Sequence, residues 1–235
     1  MSAGWKRKRF WKDATHAPAN GGYEILLDGR RVKTPAKAPL LVPTEALASA
    51  IVKEWQAQGE DVDPATMPCT RSANAAIDKV AVQHREVAGM IADYGDTDLL
   101  CYRATAPKEL RARQDAAWDP LLEWAARELG AGLEVREGIV HAPQDTRALL
   151  TLRRLVEAMD PFRLTALHDL VGLSGSLIIG LAATRHLMPS EELWALSRID
   201  EKWQEEQWGA DDLARRESAA RARDFLHAAR FFGLL

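Results

Sequence analysis

The periodicity of this chain changes once, at Thr44, and that change limits the folds open to it. Before Thr44 the apolar residues come in short runs cut by turn residues. Tyr23-Glu24-Ile25-Leu26-Leu27 leads into Asp28-Gly29 and then Arg30-Arg31-Val32-Lys33-Thr34. Asp-Gly between two β-compatible runs predicts a hairpin, because both central turn residues tolerate positive φ. Pro35, Pro39 and Pro43 restrict Leu40-Leu41-Val42 to a short or edge strand, and Arg9-Phe10-Trp11-Lys12 reads as a further strand. From Thr44 the spacing becomes helical. Thr44 is suited to cap a helix, Glu45 sits in its first turn, Leu47, Ile51 and Trp55 follow at i, i+4 and i+8, and Gly59 is suited to end it. Residues 61–68 read as a loop. Beyond Thr70 the pattern predicts helices over 70–93, 107–129, 143–159, 161–185, 190–208 and 210–232, with no convincing strand pair. Strands followed by helices, rather than alternating with them, predict an α+β fold. The expected domains are residues 1–69, small, antiparallel and β-rich with one helix, and residues 70–235, all helical.

Composition narrows the class further. With 235 residues, 47% of them apolar and 28% charged, the chain has the make-up of a globular protein. The longest charge-free apolar stretch, 171–184, is 14 residues long, whereas a membrane helix needs ~18. No apolar segment follows the basic start, so no secretory signal is expected. Cys69, Cys101 and the six His show no zinc spacing, and two isolated cysteines suit a reducing compartment. Residues 1–42 hold nine Lys/Arg against three Asp/Glu, and residues 43–235 hold 22 against 31. Half of the aromatic residues are Trp, eight against three Tyr and five Phe. Trp combines a large apolar surface with one N–H, a combination used in cores and at interfaces.

A search for catalytic chemistry is mostly negative. There is no GxxxxGK[ST] phosphate cradle, no GxGxxG after a strand and no HExxH. Gly172-Leu173-Ser174-Gly175-Ser176 lacks the final Gly of a nucleophile elbow and lies in a helical context. Asp93, Asp96 and Asp98 could hold a divalent cation through oxygen ligands, the basis of an alternative reading as a metal-binding enzyme, but the same residues serve as turn and cap groups. Gly172, Ser176 and Gly180 at i, i+4 and i+8 predict a central buried helix approached closely by another. The basic start, with Trp5, Phe10 and Trp11 nearby, permits a minor alternative role in nucleic-acid binding.

Residues 191–212 differ from the rest. They carry eight acidic and two basic residues, with Trp194, Trp203 and Trp208 among them. Leu196, Ile199 and Trp203 make an apolar stripe, and Asp200 lies at its edge. A carboxylate there needs a partner or a wet groove. Trp beside carboxylate is the composition of a contact site for a partner's Arg or Lys.

Several of these segments together resemble one family along nearly the full chain. They are Arg9-Phe10-Trp11-Lys12, Leu27-Asp28-Gly29-Arg30-Arg31-Val32-Lys33-Thr34-Pro35, Glu54-Trp55 and Asp96-Thr97-Asp98-Leu99-Leu100-Cys101-Tyr102-Arg103. Trp118-Asp119-Pro120-Leu121, Ser176-Leu177-Ile178, Trp203-Gln204 with Trp208-Gly209, and Ala220-Arg221-Ala222-Arg223 follow in order. The family is the assembly chaperone for the alpha subunit of F1-ATPase, known in mitochondria as assembly factor 2. The resemblance implies a two-domain, non-enzymatic chaperone without cofactor or metal. It would bind the free alpha subunit and shield its beta-facing surface before the hexamer closes. The family's functional acidic residue, typically Glu, falls on Asp200, where Glu201 could substitute. Its Glu-Trp pair falls on Glu54 and Trp55. The expected partner-binding residues are Asp200, Glu201, Glu205, Trp203, Trp208 and Trp55. The expectation is a bacterial, cytoplasmic member that is a monomer when free, with neither membrane nor nucleic acid as partner.

Overall fold

The computed structural model describes residues 8–209 and 211–235. They divide into two compact units. One comprises the chain up to His84 together with Pro161–Thr165 and Phe231–Leu235, the other Arg85–Asp160 and Ala166–Arg230.

In the first unit, β1 (Ala14–Ala19), β2 (Gly22–Leu27), β3 (Arg30–Arg31) and β4 (Leu41–Val42) form an antiparallel sheet with β2 paired to each of the others. Asp28 and Gly29 have φ of 48° and 76°, the left-handed pair that the Asp-Gly signal predicts. A second two-residue turn, Asn20-Gly21, closes β1 onto β2 with Ala19 opposite Gly22. Residues 9–12 form no strand, contrary to their β-compatible composition. The Arg9 guanidinium instead donates to the carbonyls of Gln56, Gln58, Trp11 and Lys12. It thereby satisfies carbonyls just past the end of α1 (Glu45–Gln56), where cations are favoured. The Thr44 hydroxyl accepts the Leu47 N–H as the expected cap, and Leu47 and Ile51 are fully buried.

The expected 70–93 helix is interrupted. It divides into α2 (Pro68–Ala75), a widened π-turn over Ala76–Val80, and α3 (His84–Asp93). The π-turn carries Asp78, whose carboxylate accepts the Thr34 hydroxyl and the Ala36 N–H at 2.6 and 2.9 Å. Glu54 caps α2: its carboxylate accepts the N–H groups of Cys69 and Thr70 and the Thr70 hydroxyl.

The second unit contains α4 (Lys108–Trp124), prolonged by a π-turn and ended by Gly130 at φ 66°, and α5 (Thr146–Glu157), capped by Asp145. Most of α6 (Pro161–Ser174) lies in this unit, followed by α7 (Leu177–Thr184), α8 (Ser190–Leu196), α9 (Ile199–Trp208) and α10 (Asp212–Gly233). Sequence periodicity runs through two breaks that the structure makes. Gly175, at φ 75°, separates α6 from α7, and Ser176 then caps α7 by accepting the Ile179 N–H. The Gly172, Ser176 and Gly180 stripe is therefore split between helices. All eight residues of α7 are buried, so the buried central helix is shorter than predicted. Ser197 and Arg198 separate α8 from α9; the Ser197 hydroxyl returns to the Trp194 carbonyl.

The helical region also holds a strand pair the sequence did not announce. β5 (Tyr102–Arg103) runs parallel to β6 (Arg136–Glu137), and two residues are too few to establish a period. Among the described residues no helix is long and apolar enough to cross a membrane.

Candidate functional site

The centre of the second unit's site is Arg103. Its side chain is inaccessible to solvent and stacks over Trp118, 5.2 Å from the ring centre. It donates to the Leu100 carbonyl and pairs with Asp115 and Asp119, one turn apart on α4, at 2.9 Å each. A buried cation is tolerated because carboxylates at the edge of the burial neutralise it. Trp118 is itself fully buried and donates its indole N–H to the Leu196 carbonyl, fixing the end of α8.

One turn before Trp118 lies Gln114, 1% exposed. Its side-chain oxygen accepts the Ala104 N–H, and its amide nitrogen donates to Asp200 Oδ1 at 2.7 Å. Gln114 thus aims Asp200 into a groove of about 760 Å³. α9 supplies one wall: Asp200, Trp203, Gln204, Gln207 and Trp208, at i, i+3, i+4, i+7 and i+8, all line it. Such spacing puts them on one helix face. Residues 102–107, with Leu99, Leu110, Gln114, Gly138 and Ile139, supply the rest of the lining.

The expected site residues part company here. Asp200 is half-buried; Trp203 is half-buried beneath the Arg113 guanidinium, which also grips Glu206 by two 2.9 Å bonds. That grip holds the Glu206 carboxyl below the usual range. Trp208 is 88% exposed. Glu201 is exposed, lies outside the lining and pairs with Arg198. Burial, and the Arg221 charge nearby, lower the Arg198 pKa against the opposing pull of Asp200. Glu205 is exposed, also off the lining, with no side-chain partner among the described residues. Trp55 belongs to the first unit, half-buried and edge-on to Trp11 at 5.1 Å.

Gln114 was missed by sequence reading. The available signal was a polar residue four before Trp118 and seven before Leu121 on an otherwise apolar stripe, a position where a buried amide needs partners.

The three aspartates of the metal reading point to different partners. Asp93 pairs with Arg153 at 2.6 Å, and Asp96 accepts the Gln144 N–H and His141 Nε2. Asp98 is wholly buried and accepts the Leu100 and Ile178 N–H groups. The described residues contain no group of His, Cys, Asp or Glu arranged to hold a metal ion. Burial pushes the Asp98 carboxyl up to about 6 against the donors from Ile178, Ser176, Leu100 and Leu177. Burial, with the Asp98 charge beside it, pushes the Cys101 thiol up to about 12, so it is an unreactive core group. Base stacking by the N-terminus loses Trp11, which is 4% exposed, and Arg9, which is committed to backbone carbonyls; Phe10 is exposed. Trp5 lies outside the described residues.

A held carboxylate, two indoles and an apolar rim offer contacts to another polypeptide, the equipment of a chaperone or docking protein. Comparison with known proteins identifies the class. The sequence pattern of the ATP12 chaperone protein family matches residues 8–126. The chain is 27% identical over 215 residues to the mitochondrial protein atp12 of Schizosaccharomyces pombe, covering 86% of this chain and 74% of that protein. It superposes on the crystal structure of Atp12 from Paracoccus denitrificans with a TM-score of 0.95 at 52% identity, over 98% of this chain and 99% of that one. A solved Asp-to-Lys mutant of the Paracoccus protein gives the same TM-score, 0.95, at 51% identity over 98% of each chain. A structure from Agrobacterium tumefaciens gives 0.92 at 42% identity, over 96% of this chain and 85% of that one. The chain belongs to the ATP12 chaperone family, and its role is that of a chaperone in F1-ATPase assembly.

Proposed function

We propose that this chain binds the free alpha subunit of F-type ATP synthase and shields its beta-facing surface until the catalytic hexamer forms. The observation that carries the reading is the half-buried Asp200 carboxylate, held by Gln114 in a groove whose rim exposes Trp208. A preoriented carboxylate in a partly desolvated groove attracts a cationic side chain more strongly than a free surface carboxylate does. Trp203 and Trp208 supply apolar contact. Glu201 and Glu205, off the groove face, add to the negative field that steers the partner. Trp55 enters the proposal through the first unit, where it is half-buried beside Trp11. The protein acts by stoichiometric binding in the bacterial cytoplasm, as a monomer when free, without catalysis, cofactor or nucleic acid.

The test is Asp200→Lys, assayed by titration against purified alpha subunit. Reversing the charge should weaken binding by at least about tenfold, since it replaces attraction by repulsion at the held position. The fold should be retained, because Asp200 is half-buried on a groove wall and not part of the apolar core. Unchanged affinity would sink the assignment of the site.

A further inference from the structure

Ile139 is the most exposed of the exposed large apolar side chains, at 94%, and its neighbour Val140 is 79% exposed. Loop tips are normally polar, because an apolar side chain gains nothing in water. A loose loop could be dismissed as solvated slack, but this one is fastened on both sides of its tip. β6 pairs with β5 just before it, and the Gly138 N–H donates to the Arg103 carbonyl at 2.9 Å. The Glu137 carboxylate accepts from Arg111. On the far side, His141 Nε2 lies 2.8 Å from Asp96. The Gln144 N–H also reaches Asp96, which holds that carboxyl below its usual range, so the carboxylate accepts and His141 donates. The Gln144 side chain bonds both the N–H and the carbonyl of Glu134, closing the loop at its base. The fastenings stop at the tip, which is held from both sides without being packed.

Gly138 and Ile139 line the same groove as Asp200 and the α9 residues up to Trp208. We propose that the strap tip, Ile139-Val140, is a preformed second jaw of the client site, and that the jaws close on a client segment in which an arginine or lysine is flanked by apolar side chains. The cation meets Asp200, and the apolar flanks cover Ile139, Val140 and Trp208. This rests on reading the groove as the client site. Charge complementarity selects the occupant: the charged residues of the groove lining are Asp200 and Arg103, and the Arg103 guanidinium is buried and already paired, which leaves the Asp200 carboxylate. Exposure selects its size. Val140, 79% exposed, lies outside the lining, so a small ligand confined to the groove would leave it in water, whereas a polypeptide surface extending past the rim would cover it. Fastening the loop on both sides of its tip lowers the entropy cost of binding relative to a loop without such ties.

The test compares Ile139→Ser/Val140→Ser with Asp200→Lys, both titrated against purified alpha subunit and both checked by thermal melting. The tip side chains are nearly fully exposed, so the double variant should melt like the parent. Its affinity should fall about tenfold or more, as expected for exposed apolar anchors that become buried at the centre of an interface. If Asp200→Lys weakens binding while the tip variant binds like the parent, the strap inference fails and the groove reading stands. If neither variant weakens binding, the groove reading fails and takes the inference with it. The parent should not float with phosphatidylglycerol vesicles; flotation abolished by the tip substitutions, with alpha binding intact, would assign the tip to a membrane and overturn the proposal.

Discussion

Asp98 offers the sharpest test of how this fold uses a charged residue. Its carboxylate is fully buried and sits at the start of α7, accepting the Leu100 and Ile178 N–H groups at 3.0 Å each. Burial nevertheless outweighs the donors and raises the carboxyl to about 6, from 3.8. The native protein therefore keeps a proton that the unfolded chain releases between pH 3.8 and about 6. Where the native state binds more protons, stability falls as pH rises. The contribution is complete below pH 3.8 and is lost as the pH passes through about 6. The span between the two values corresponds to about 3 kcal/mol, a large part of the roughly 5–15 kcal/mol that holds a domain together. Asp98→Asn keeps the shape and cannot ionise. Urea unfolding of both proteins at a series of pH values from about 4 to 7 isolates this group, because all other titrations are shared. The stability advantage of the parent over the variant should shrink by about 2 kcal/mol or more across this series, mostly between about pH 4 and 6. Parallel curves would refute the raised carboxyl. A difference growing with pH would show that the four donors, together with the start of α7, outweigh burial.

Two further outcomes test packing and capping. At Gly180 an added Cβ would lie 2.6 Å from Val171 Cγ2 and 3.2 Å from Leu167 Cδ1, so Gly180→Ala should destabilise by about 1–3 kcal/mol despite the better helix propensity of Ala. A lowered urea midpoint at unchanged slope would show it; a midpoint at or above the parent's would mean that α6 yields at little cost. Glu54→Ala leaves the Cys69 and Thr70 N–H groups without their cap and should cost about 1–2 kcal/mol. Glu54→Gln should recover part of that loss, and equal melting temperatures for all three proteins would remove the capping role.

These residues also show where sequence reading reached and where it stopped. The Asp28-Gly29 turn and the Thr44 cap are decided within four residues, so their chemistry is written locally. The acidic, Trp-bearing character of α9 was equally legible, because composition and helical spacing suffice to place Asp200, Trp203 and Trp208 on one face. The breaks at Gly175 and Ser197 were not, since apolar periodicity runs across both. The Asp93, Asp96 and Asp98 run looked like one cluster, yet the backbone turns each carboxylate toward a different part of the chain.

By itself, then, the sequence determined the hairpin-bearing start, the onset of helix at Thr44, the turns and caps, and the acidic, indole-bearing character of α9, all of which depend on neighbours a few positions apart. Tertiary structure decided what that face confronts. Gln114 orients Asp200 across 86 positions, and Asp98 caps α7 across 80. The strap and α9 line one groove that no local pattern encodes. A half-buried carboxylate acquires its direction, and an exposed isoleucine its purpose, from groups brought near by folding. Periodicity records which side of an element is apolar; it does not record which distant group will stand opposite.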